Sequence, residues 1–374
     1  MKKILLGMSL QELKQLAVEY KLPAFTGKQI ADWLYKKRVT SIDQMTNLSK
    51  AARELLSAEC EVGRIDYTQL QASVDGTKKY LFPCHTGTSI EAVMIPDEPR
   101  ATICVSSQAG CKMGCKFCMT GRQGFSGNLR VNEIISQFMG IDEAEQLTNA
   151  VFMGIDEAEQ LTNAVFMGMG EPLDNLANVL KVIEILTAEW GFAWSPKRIT
   201  LSSIGVTMSP QLIEVPDYRQ DEKSRGVYRA VNPLKAFLDL TKCHLAISLH
   251  NPFPGERVEL MPVEKGFPLE DTLELIKEYD FTGQRRVSFE YIMFDRVNDT
   301  KRHADALVRM MRGLECRMNL IRFHAIPDSP LMPSPMPVIE SFKERLNGAG
   351  LMTTLRASRG EDIYAACGML AGKK

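Results

Sequence analysis

Three cysteines stand close together before the middle of the chain. Cys111, Cys115 and Cys118 follow a C-x3-C-x2-C spacing, directly after the strand-like run 101–107. A short loop at the end of a strand can turn three thiolates toward one point, and thiolates select iron–sulfur clusters, zinc or copper(I). We therefore interpret these three residues as ligands of a metal centre.

Two kinds of metal centre are compatible with this spacing. Structural zinc and cluster sites usually take four protein ligands, and no fourth cysteine follows at a short spacing. One interpretation is a zinc site completed by Cys104 or His85. The other is a centre with three protein ligands and one open metal position.

The elements that would position these ligands alternate in type from residue 100 onward. Strand-like segments occupy 101–107, 164–169, 198–204, 243–250, 286–294 and 318–325, and helical patterns such as 176–186 and 269–279 separate them. Six repeated βα units predict a parallel sheet, either doubly wound or curled into a barrel. Both architectures place their sites at the carboxyl ends of the strands, where the motifs cluster.

The chain before this repeat divides into two parts. Residues 1–62 show helical periodicity, with a capping box that begins at Ser9, and predict a small helical domain. Residues 63–99 change to strand patterns and predict a small β unit. It leads into the cysteine-bearing domain, residues 100–374. The basic run 36–38 either meets RNA phosphates or complements the dipole of the helix that it ends.

Two features depart from a regular repeat. Residues 138–151 recur unchanged at 152–165, a copy too short and too perfect for a solenoid. Because only the second copy connects directly to the run 170–172, we predict that it supplies the strand and that the first adds helix and loop. Residues 209–232 are polar and contain two prolines, which predicts a surface insertion.

Composition limits the class of protein. The chain has 374 residues, nine cysteines and a formal net charge of −1. Metal-type cysteine spacing without a signal peptide favours a reducing compartment over a disulfide framework. No stretch approaches the roughly 20 apolar residues that span a bilayer, so we expect a soluble cytoplasmic protein. Residues 1–90 carry thirteen Lys and Arg against nine Asp and Glu, a slight indication of an RNA-facing N-terminal part.

The motifs together resemble those of a known enzyme family. The cysteine spacing, with Phe117 before the last cysteine, resembles the signature of radical S-adenosylmethionine (SAM) enzymes, and the run 168–172 (GMGEP) resembles their SAM-binding motif. Across all six strands the chain resembles the radical SAM methyltransferases of RNA adenine. The motifs that carry this resemblance are 104–111, 121–125, 167–172, 199–203, 246–250, 290–293, 358–363 and 365–368.

The resemblance implies a fold and its cofactors. The fold would be α/β, a partial six-stranded (β/α)6 radical SAM barrel behind the helical domain and the short β unit. One [4Fe-4S] cluster would be held by Cys111, Cys115 and Cys118, and two SAM molecules would be used per turnover. The residues implied to contact SAM are Gly170, Glu171, Ser202, Ser248, Leu249, His250 and His324, the last at a position where the family usually has asparagine.

The resemblance also implies a reaction that passes through a methylated cysteine. Cys367 would accept a methyl group from one SAM, and the cluster would reduce a second SAM to a 5′-deoxyadenosyl radical that takes hydrogen from that methyl group. The carbon radical would add to adenine, whose electron-poor C2 cannot attack SAM directly. Cys104 would attack the sulfur of Cys367 to release the product, with a disulfide bond as the result, and Glu91 would accept the proton.

The implied activity is methylation of adenine C2 in 23S ribosomal RNA and in transfer RNA. The enzyme would act as a monomer, away from membranes, with an electron donor such as flavodoxin or ferredoxin. An adenine-C8 methyltransferase is the closest alternative, and a non-catalytic metal-containing RNA-binding protein is another. The duplicated segment adds a third alternative, a chain that has the motifs but does not fold into an active site. The extra residues would then displace Gly170 and Glu171 by several ångströms, more than site geometry tolerates.

Overall fold

The computed structural model describes residues 2–97, 100–143, 160–208, 212–215, 227–230, 232–283 and 285–372. The strands among these residues are β1 (Lys3–Ile4), β2 (Cys60–Glu61), β3 (Gln69–Ala72), β4 (Lys78–Pro83), β5 (Ser89–Asp97), β6 (Arg100–Cys104), β7 (Gln108–Gly110), β8 (Phe125–Asn128), β9 (Gln160–Phe166), β10 (Ile199–Ser203), β11 (Leu212–Val215), β12 (Val227–Ala230), β13 (His244–Ser248), β14 (Val287–Met293), β15 (Cys316–Arg322) and β16 (Thr353–Leu355). The α-helices are α1 (Leu10–Glu19), α2 (Thr26–Ala31), α3 (Lys50–Glu59), α4 (Met119–Arg122), α5 (Val131–Met139), α6 (Leu176–Thr187), α7 (Pro233–Leu240), α8 (Pro254–Leu260), α9 (Leu269–Lys277), α10 (Lys301–Met310) and α11 (Met336–Gly348).

One ten-stranded sheet organises the molecule, with the strand order β16-β15-β14-β13-β10-β9-β6-β5-β4-β3. Neighbours from β6 to β16 are parallel, as expected where a helix connects successive strands. The predicted α/β fold is confirmed, and its six predicted strands are β6, β9, β10, β13, β14 and β15. The short strand β16 adds a seventh parallel member, and β5, β4 and β3 continue the sheet in antiparallel order.

The N-terminal helices begin where the sequence predicts. Ser9 caps α1, since its hydroxyl accepts the N–H of Glu12 at 3.2 Å while the Glu12 carboxylate accepts the N–H of Ser9 at 2.6 Å. The hydroxyl of Ser49 caps α3 by accepting the N–H of Ala52 at 3.2 Å. One cluster of buried side chains runs from these helices into the sheet. Among the described residues, no helix has both the length and the apolar character that a membrane crossing requires.

The duplicated segment contributes its second copy to the sheet. Strand β9 is formed by residues 160–166 and pairs with β6 and β10, so the prediction that the second copy supplies the strand is confirmed. The first copy begins in the last turn of α5, and its part from residue 144 onward lies outside the described residues. Most of the predicted insertion 209–232 also lies outside them, while its described parts, β11 and β12, pair with each other in antiparallel order.

Candidate active site

The three cysteines of the motif lie on one loop between β7 and α4. Gly114, in the middle of this loop, takes a left-handed conformation with φ of +65°, which a residue without Cβ adopts freely. The N–H of Cys118 donates to the carbonyl of Cys115 at 3.2 Å, and the N–H of Cys111 donates to the carbonyl of Gly124 at 2.9 Å. The loop is therefore closed by hydrogen bonds at both ends.

A single cavity gathers most of the residues that the motifs predict. Its wall includes the three cysteines and residues from the ends of β9, β10 and β13. The predicted site residues on this wall are Cys111, Cys115, Cys118, Gly170, Glu171, Ser202, Ser248, His250 and Cys367. Parallel strands bring these side chains together because their carboxyl ends meet at one edge of the sheet.

The donor chemistry of the three thiols on this loop fits an iron–sulfur cluster. Burial raises the pKa of all three, that of Cys111 to about 12, so thiolates here require a bound cation. Within the described ranges, no three Cys, His, Asp or Glu side chains are arranged to hold one metal ion. A [4Fe-4S] cube spreads three thiolates over three irons and needs no such convergence.

The fourth ligand that a zinc site would need is elsewhere. The Nδ1 atom of His85 lies 2.9 Å from Oε2 of the Glu133 carboxylate. Cys104 ends β6 and does not belong to the wall that the three cysteines line. The structure therefore does not assemble a tetrahedral zinc site from either of the two predicted residues.

The turn after β9 brings backbone close to the cysteine loop. A Cβ on Gly168 would lie 2.7 Å from the carbonyl group of Val105. Gly170 takes a φ of +101°, and a Cβ there would lie 2.5 Å from the side chain of Gln108. Both positions require glycine, so the turn packs directly against residues 105–108, which lead into the cysteine loop.

Glu171 uses its carboxylate to join two strand ends. The Oε1 atom accepts the N–H of Leu173 at 3.0 Å, and Oε2 accepts the N–H of Ile204, after β10, at 3.0 Å. Burial raises the pKa of Glu171 to about 7, although both N–H groups oppose the rise. The Ser203 hydroxyl donates to this carboxylate as well, so one acceptor site remains for a cationic ligand group.

His250 lies on the cavity wall in a strained left-handed conformation, with φ of +56°. Its Nδ1 atom accepts the N–H of Ile292 at 3.1 Å, and its ring meets that of Phe117 edge-on with the centroids 4.9 Å apart. Burial lowers the pKa of His250 to about 3, so the ring is neutral at pH 7. Since Nδ1 accepts, Nε2 carries the proton and is a hydrogen-bond donor.

The segment that carries Cys367 is tied down on both sides of this cysteine. We call residues 358–372 the carrier segment. Before Cys367, the Asp362 carboxylate accepts the hydroxyl of Ser73 at 2.5 Å, which joins the segment to the turn between β3 and β4. Cys367 itself is exposed.

After Cys367, the carrier segment is hydrogen-bonded to α4, the helix that directly follows the three motif cysteines. The carbonyl of Gly368 accepts the N–H of Met119 at 2.7 Å, and the carbonyl of Leu370 accepts the hydroxyl of Thr120 at 2.7 Å. Met119 and Thr120 directly follow the last cysteine of the motif. The position of Cys367 therefore depends on the same loop that carries the three cysteines.

A second group of predicted residues shares one face of the antiparallel strands. Val93 on β5 pairs with Lys79 on β4 and with Cys104 on β6, and the side chains of directly opposed residues lie on the same face. Glu91 precedes Val93 by two residues and therefore shares that face. The antiparallel part of the sheet thus brings Glu91, Lys79 and Cys104 together.

Glu91 is buried beneath the end of the carrier segment. Its Oε1 atom lies 3.1 Å from Nζ of Lys79. Its Oε2 atom accepts the N–H groups of Ala371 and Gly372 at 2.8 and 3.1 Å. Only 2% of Glu91 is exposed, and Glu91 is not among the residues that line the cavity.

Arg356 is a site residue that the sequence motifs missed. It lines the cavity together with Cys367, and its Nη1 atom lies 3.3 Å from Oε2 of Glu290. Burial opposes its charged form, yet Cys367, Glu290 and Cys104 raise the pKa of this guanidinium above its ordinary value. Its place two residues before the motif 358–363 was the available signal.

Two predicted SAM contacts lie outside the cavity wall. Leu249 is fully buried in the core. His324 directs Nε2 to the hydroxyl of Ser358 at 2.9 Å and Nδ1 to Oε1 of Glu361 at 3.1 Å, so both ring nitrogens contact the carrier segment. The expected disulfide bond is not formed either, because all nine cysteines, each within the described ranges, are free.

Comparisons with known proteins agree with this arrangement. Residues 4–62 match the family model of the ribosomal RNA large subunit methyltransferase N-terminal domain, and residues 105–307 match the model of the radical SAM superfamily. A crystal structure of a radical SAM methyltransferase from Sphaerobacter thermophilus superposes with a TM-score of 0.83 at 31% identity, covering 99% of this chain and all of that one.

Curated relatives match over the full length. The probable dual-specificity RNA methyltransferase RlmN of Parabacteroides distasonis is 50% identical over 373 residues, which cover 100% of this chain and 98% of the relative. The dual-specificity RNA methyltransferase RlmN of Syntrophus aciditrophicus is 38% identical over 98% of this chain and 95% of its own. The chain therefore belongs to the dual-specificity RNA methyltransferase family, within the radical SAM superfamily.

Proposed function

We propose that this chain methylates C2 of adenine in 23S ribosomal RNA and transfer RNA, with Cys367 as the carrier of the methyl group. The observation that carries the proposal is the exposed thiol of Cys367 on the wall of the cavity lined by the three motif cysteines. Direct methylation of an electron-poor aryl carbon would be unfavourable, whereas a carbon held on sulfur can be activated by hydrogen abstraction. The RNA-methyltransferase names of the relatives support RNA as the substrate.

The cavity offers the residues that the two cofactors need. Cys111, Cys115 and Cys118 would hold one [4Fe-4S] cluster. When bound, the cluster and SAM supply a carbon radical that can take hydrogen from an unactivated methyl group. The residues proposed to line the SAM site are Gly170, Glu171, Ser202, Ser248 and His250. We propose Glu171 for the cationic amino group of SAM, because its carboxylate retains an acceptor site.

Cys367 would act first as a nucleophile. Its thiolate takes the methyl group of one SAM, so that an S–C bond forms and S-adenosylhomocysteine leaves. After that methyl group has lost a hydrogen atom, its carbon bonds to C2 of adenine, and the RNA is covalently attached to Cys367. Arg356 supports the first step, since a guanidinium next to a thiol favours the thiolate.

Glu91 and Cys104 would release the product. Glu91 takes the C2 proton, and the sulfur of Cys104 bonds to the sulfur of Cys367 as the C–S bond to the RNA breaks. The adduct between the RNA and Cys367 also loses one electron, which balances the electron supplied at the start. Solvent then donates a proton to the methylene carbon on adenine C2, which becomes the methyl group of the product. A thiol reductant then restores both cysteines.

The partners follow from this chemistry. An electron donor such as flavodoxin or ferredoxin would supply the first electron to a monomeric enzyme. We assign the reaction to the cytoplasm, where RNA and reducing conditions for thiols occur together.

The test is an anaerobic reaction of the reconstituted full-length chain with reductant, RNA and SAM that carries a CD3 methyl group. Nucleosides from the digested RNA are separated by chromatography, with 2-methyl- and 8-methyladenosine as standards, and their masses are measured by mass spectrometry. We expect 2-methyladenosine that keeps two of the three deuterium atoms. An 8-methyl product would move the reaction to the other carbon, and a product with all three deuterium atoms would exclude the methylated-cysteine route. A colourless protein without SAM cleavage would instead favour the non-catalytic alternative.

A further inference from the structure

Lys79 is a buried cation next to the proposed proton acceptor. Its side chain is 10% exposed and its Nζ atom lies 3.1 Å from Oε1 of Glu91, whose side chain is 3% exposed. A buried lysine requires a partner, because removal of a single charge from water costs several kcal/mol. Lys79 and Glu91 therefore stabilise each other, and each fixes the position of the other.

The other hydrogen bonds of Glu91 come from a different part of the chain. Its Oε2 atom is bound by the N–H groups of Ala371 and Gly372, at the end of the carrier segment. These two groups cover the carboxylate, so an adenine reaches Glu91 only after they have moved away. Lys79 stays in place through that change, because it belongs to β4 within the central sheet.

The acceptor sites of the carboxylate can be counted. A carboxylate offers about four lone-pair sites, two on each oxygen. The two N–H groups of the carrier segment use both sites of Oε2, and Lys79 uses one site of Oε1. When the carrier segment leaves, Lys79 is the donor that still orients the carboxylate toward the face that it shares with Cys104.

We propose that Lys79 is a positioning residue for the removal of the C2 proton by Glu91. The proton passes from C2 to the Glu91 carboxylate, the electron pair of the C–H bond stays on the adenine ring, and Lys79 keeps its own protons. This inference rests on the proposed function, in which Glu91 is the acceptor of the C2 proton. A displaced carboxylate slows this step by about 10- to 100-fold, as small errors of placement do at reacting groups.

A slow proton-removal step has a specific signature. The RNA is attached to Cys367 before this step and is released after it, so impairment of Glu91 accumulates a covalent protein–RNA adduct. Cys104→Ala provides the reference adduct on a denaturing gel. General damage to the fold would instead reduce methylation of Cys367 and SAM cleavage, and no adduct would form.

The experiment compares variants of the full-length chain in single-turnover reactions with excess RNA. We expect Lys79→Met to accumulate adduct, with methylation of Cys367 and release of 5′-deoxyadenosine within about twofold of the unchanged chain, and Lys79→Arg to restore product. Lys78→Met is the matched control. Lys78 precedes Lys79 on β4, on the opposite face, and pairs with the buried carboxylate of Glu143 at 2.7 Å, so its loss removes a similar ion pair away from the site.

A second measurement tests the proposal independently, in case the Lys79→Met chain does not fold. RNA with deuterium at adenine C2 is given to Lys79→Gln, which keeps a neutral donor. We expect a primary isotope effect on product formation in Lys79→Gln that exceeds the effect in the unchanged chain. Release of product by Lys79→Met at the normal rate without adduct, or equal isotope effects, would overturn the role of Lys79. If Glu91→Gln itself gave no adduct, the role of Glu91 in the proposed function would be wrong instead.

Discussion

The two thiols proposed for methyl carriage and release differ in their surroundings. Cys367 is exposed, whereas only 8% of Cys104 is exposed. Burial raises the pKa of the Cys104 thiol to about 12, Cys367 adds to the rise, and Arg356 opposes it. Since the thiolate is the nucleophile, Cys104 is almost entirely in its unreactive form at neutral pH. We therefore expect release of the RNA by Cys104 to become faster as the pH rises.

The first prediction is a pH-dependent lifetime of the covalent adduct. Below a pKa of about 12 the thiolate fraction of Cys104 grows about tenfold per pH unit. The adduct fraction in reactions stopped early should consequently fall as the pH is raised from about 7 to about 9. In chains whose Cys367 is already methylated, Arg356→Gln should raise the adduct fraction at each pH, because it removes a cation that favours the Cys104 thiolate. The measurement is a denaturing gel of quenched reactions, and an adduct fraction that ignores pH would contradict the role of Cys104.

The sequence motifs predicted which residues lie at the strand ends, but they did not predict what those residues contact. The cysteines and glycines of the site were predicted because their spacing is local in the chain. Lys79 and Arg356 were not predicted, since the contacts of each depend on a strand or loop far away in sequence. His324 stays a predicted SAM contact. Both of its ring nitrogens contact the carrier segment in the structure, an orientation that nothing local in the sequence encodes.

At the scale of elements, alternation in the sequence predicted the six strands but not the extent of the sheet. Residues 63–99 were expected to form a separate small unit. The strands β3, β4 and β5 are present there, and β5 pairs with β6 along five positions. Strand pairing is a long-range contact that the pattern of one strand does not specify. This pairing brings Glu91 to the same face as Cys104.

The duplicated segment leads to a prediction about one connection. Residues 140–159 lie between α5 and β9, and a helix already begins there at Asp142. The extra copy lengthens the chain between the two elements, and closing a longer stretch of chain costs slightly more conformational entropy. Because the copies are identical, deletion of residues 138–151 leaves the residues of α5 and β9 unchanged in sequence. We expect this variant to have at least the activity of the full chain and a higher melting temperature, measured by product formation and by circular dichroism.

The result of the deletion separates two effects of the extra residues. Unchanged activity with a higher melting temperature means that the extra copy only lengthens a connection. A large gain in activity would mean that the extra copy displaces Gly170 and Glu171 in the full chain. A loss of activity would mean that the extra residues contribute to the active form of the chain.

At the scale of the whole molecule, the N-terminal helices and the sheet form one packed unit. The hydroxyl of Tyr35 donates to the carbonyl of Met8 at 2.6 Å, and its ring meets that of Trp190 with the centroids 5.6 Å apart. Lys181 on α6 forms an ion pair with Glu12 on α1 at 2.6 Å. A charge on the N-terminal helices therefore has a defined position relative to the cavity.

The last prediction concerns the basic run at residues 36–38. Lys36 and Lys37 are half exposed, and both lie within 4.0 Å of the Asp32 carboxylate. If they also meet RNA phosphates, the double change Lys36→Glu and Lys37→Glu should raise the KM for RNA about tenfold and reduce the salt dependence of binding by about one unit per lysine. SAM cleavage without RNA should be unchanged, and Lys343→Glu on α11 is the control. If the two lysines only complement the helix dipole and Asp32, the double change will lower the melting temperature and leave the salt dependence as it was.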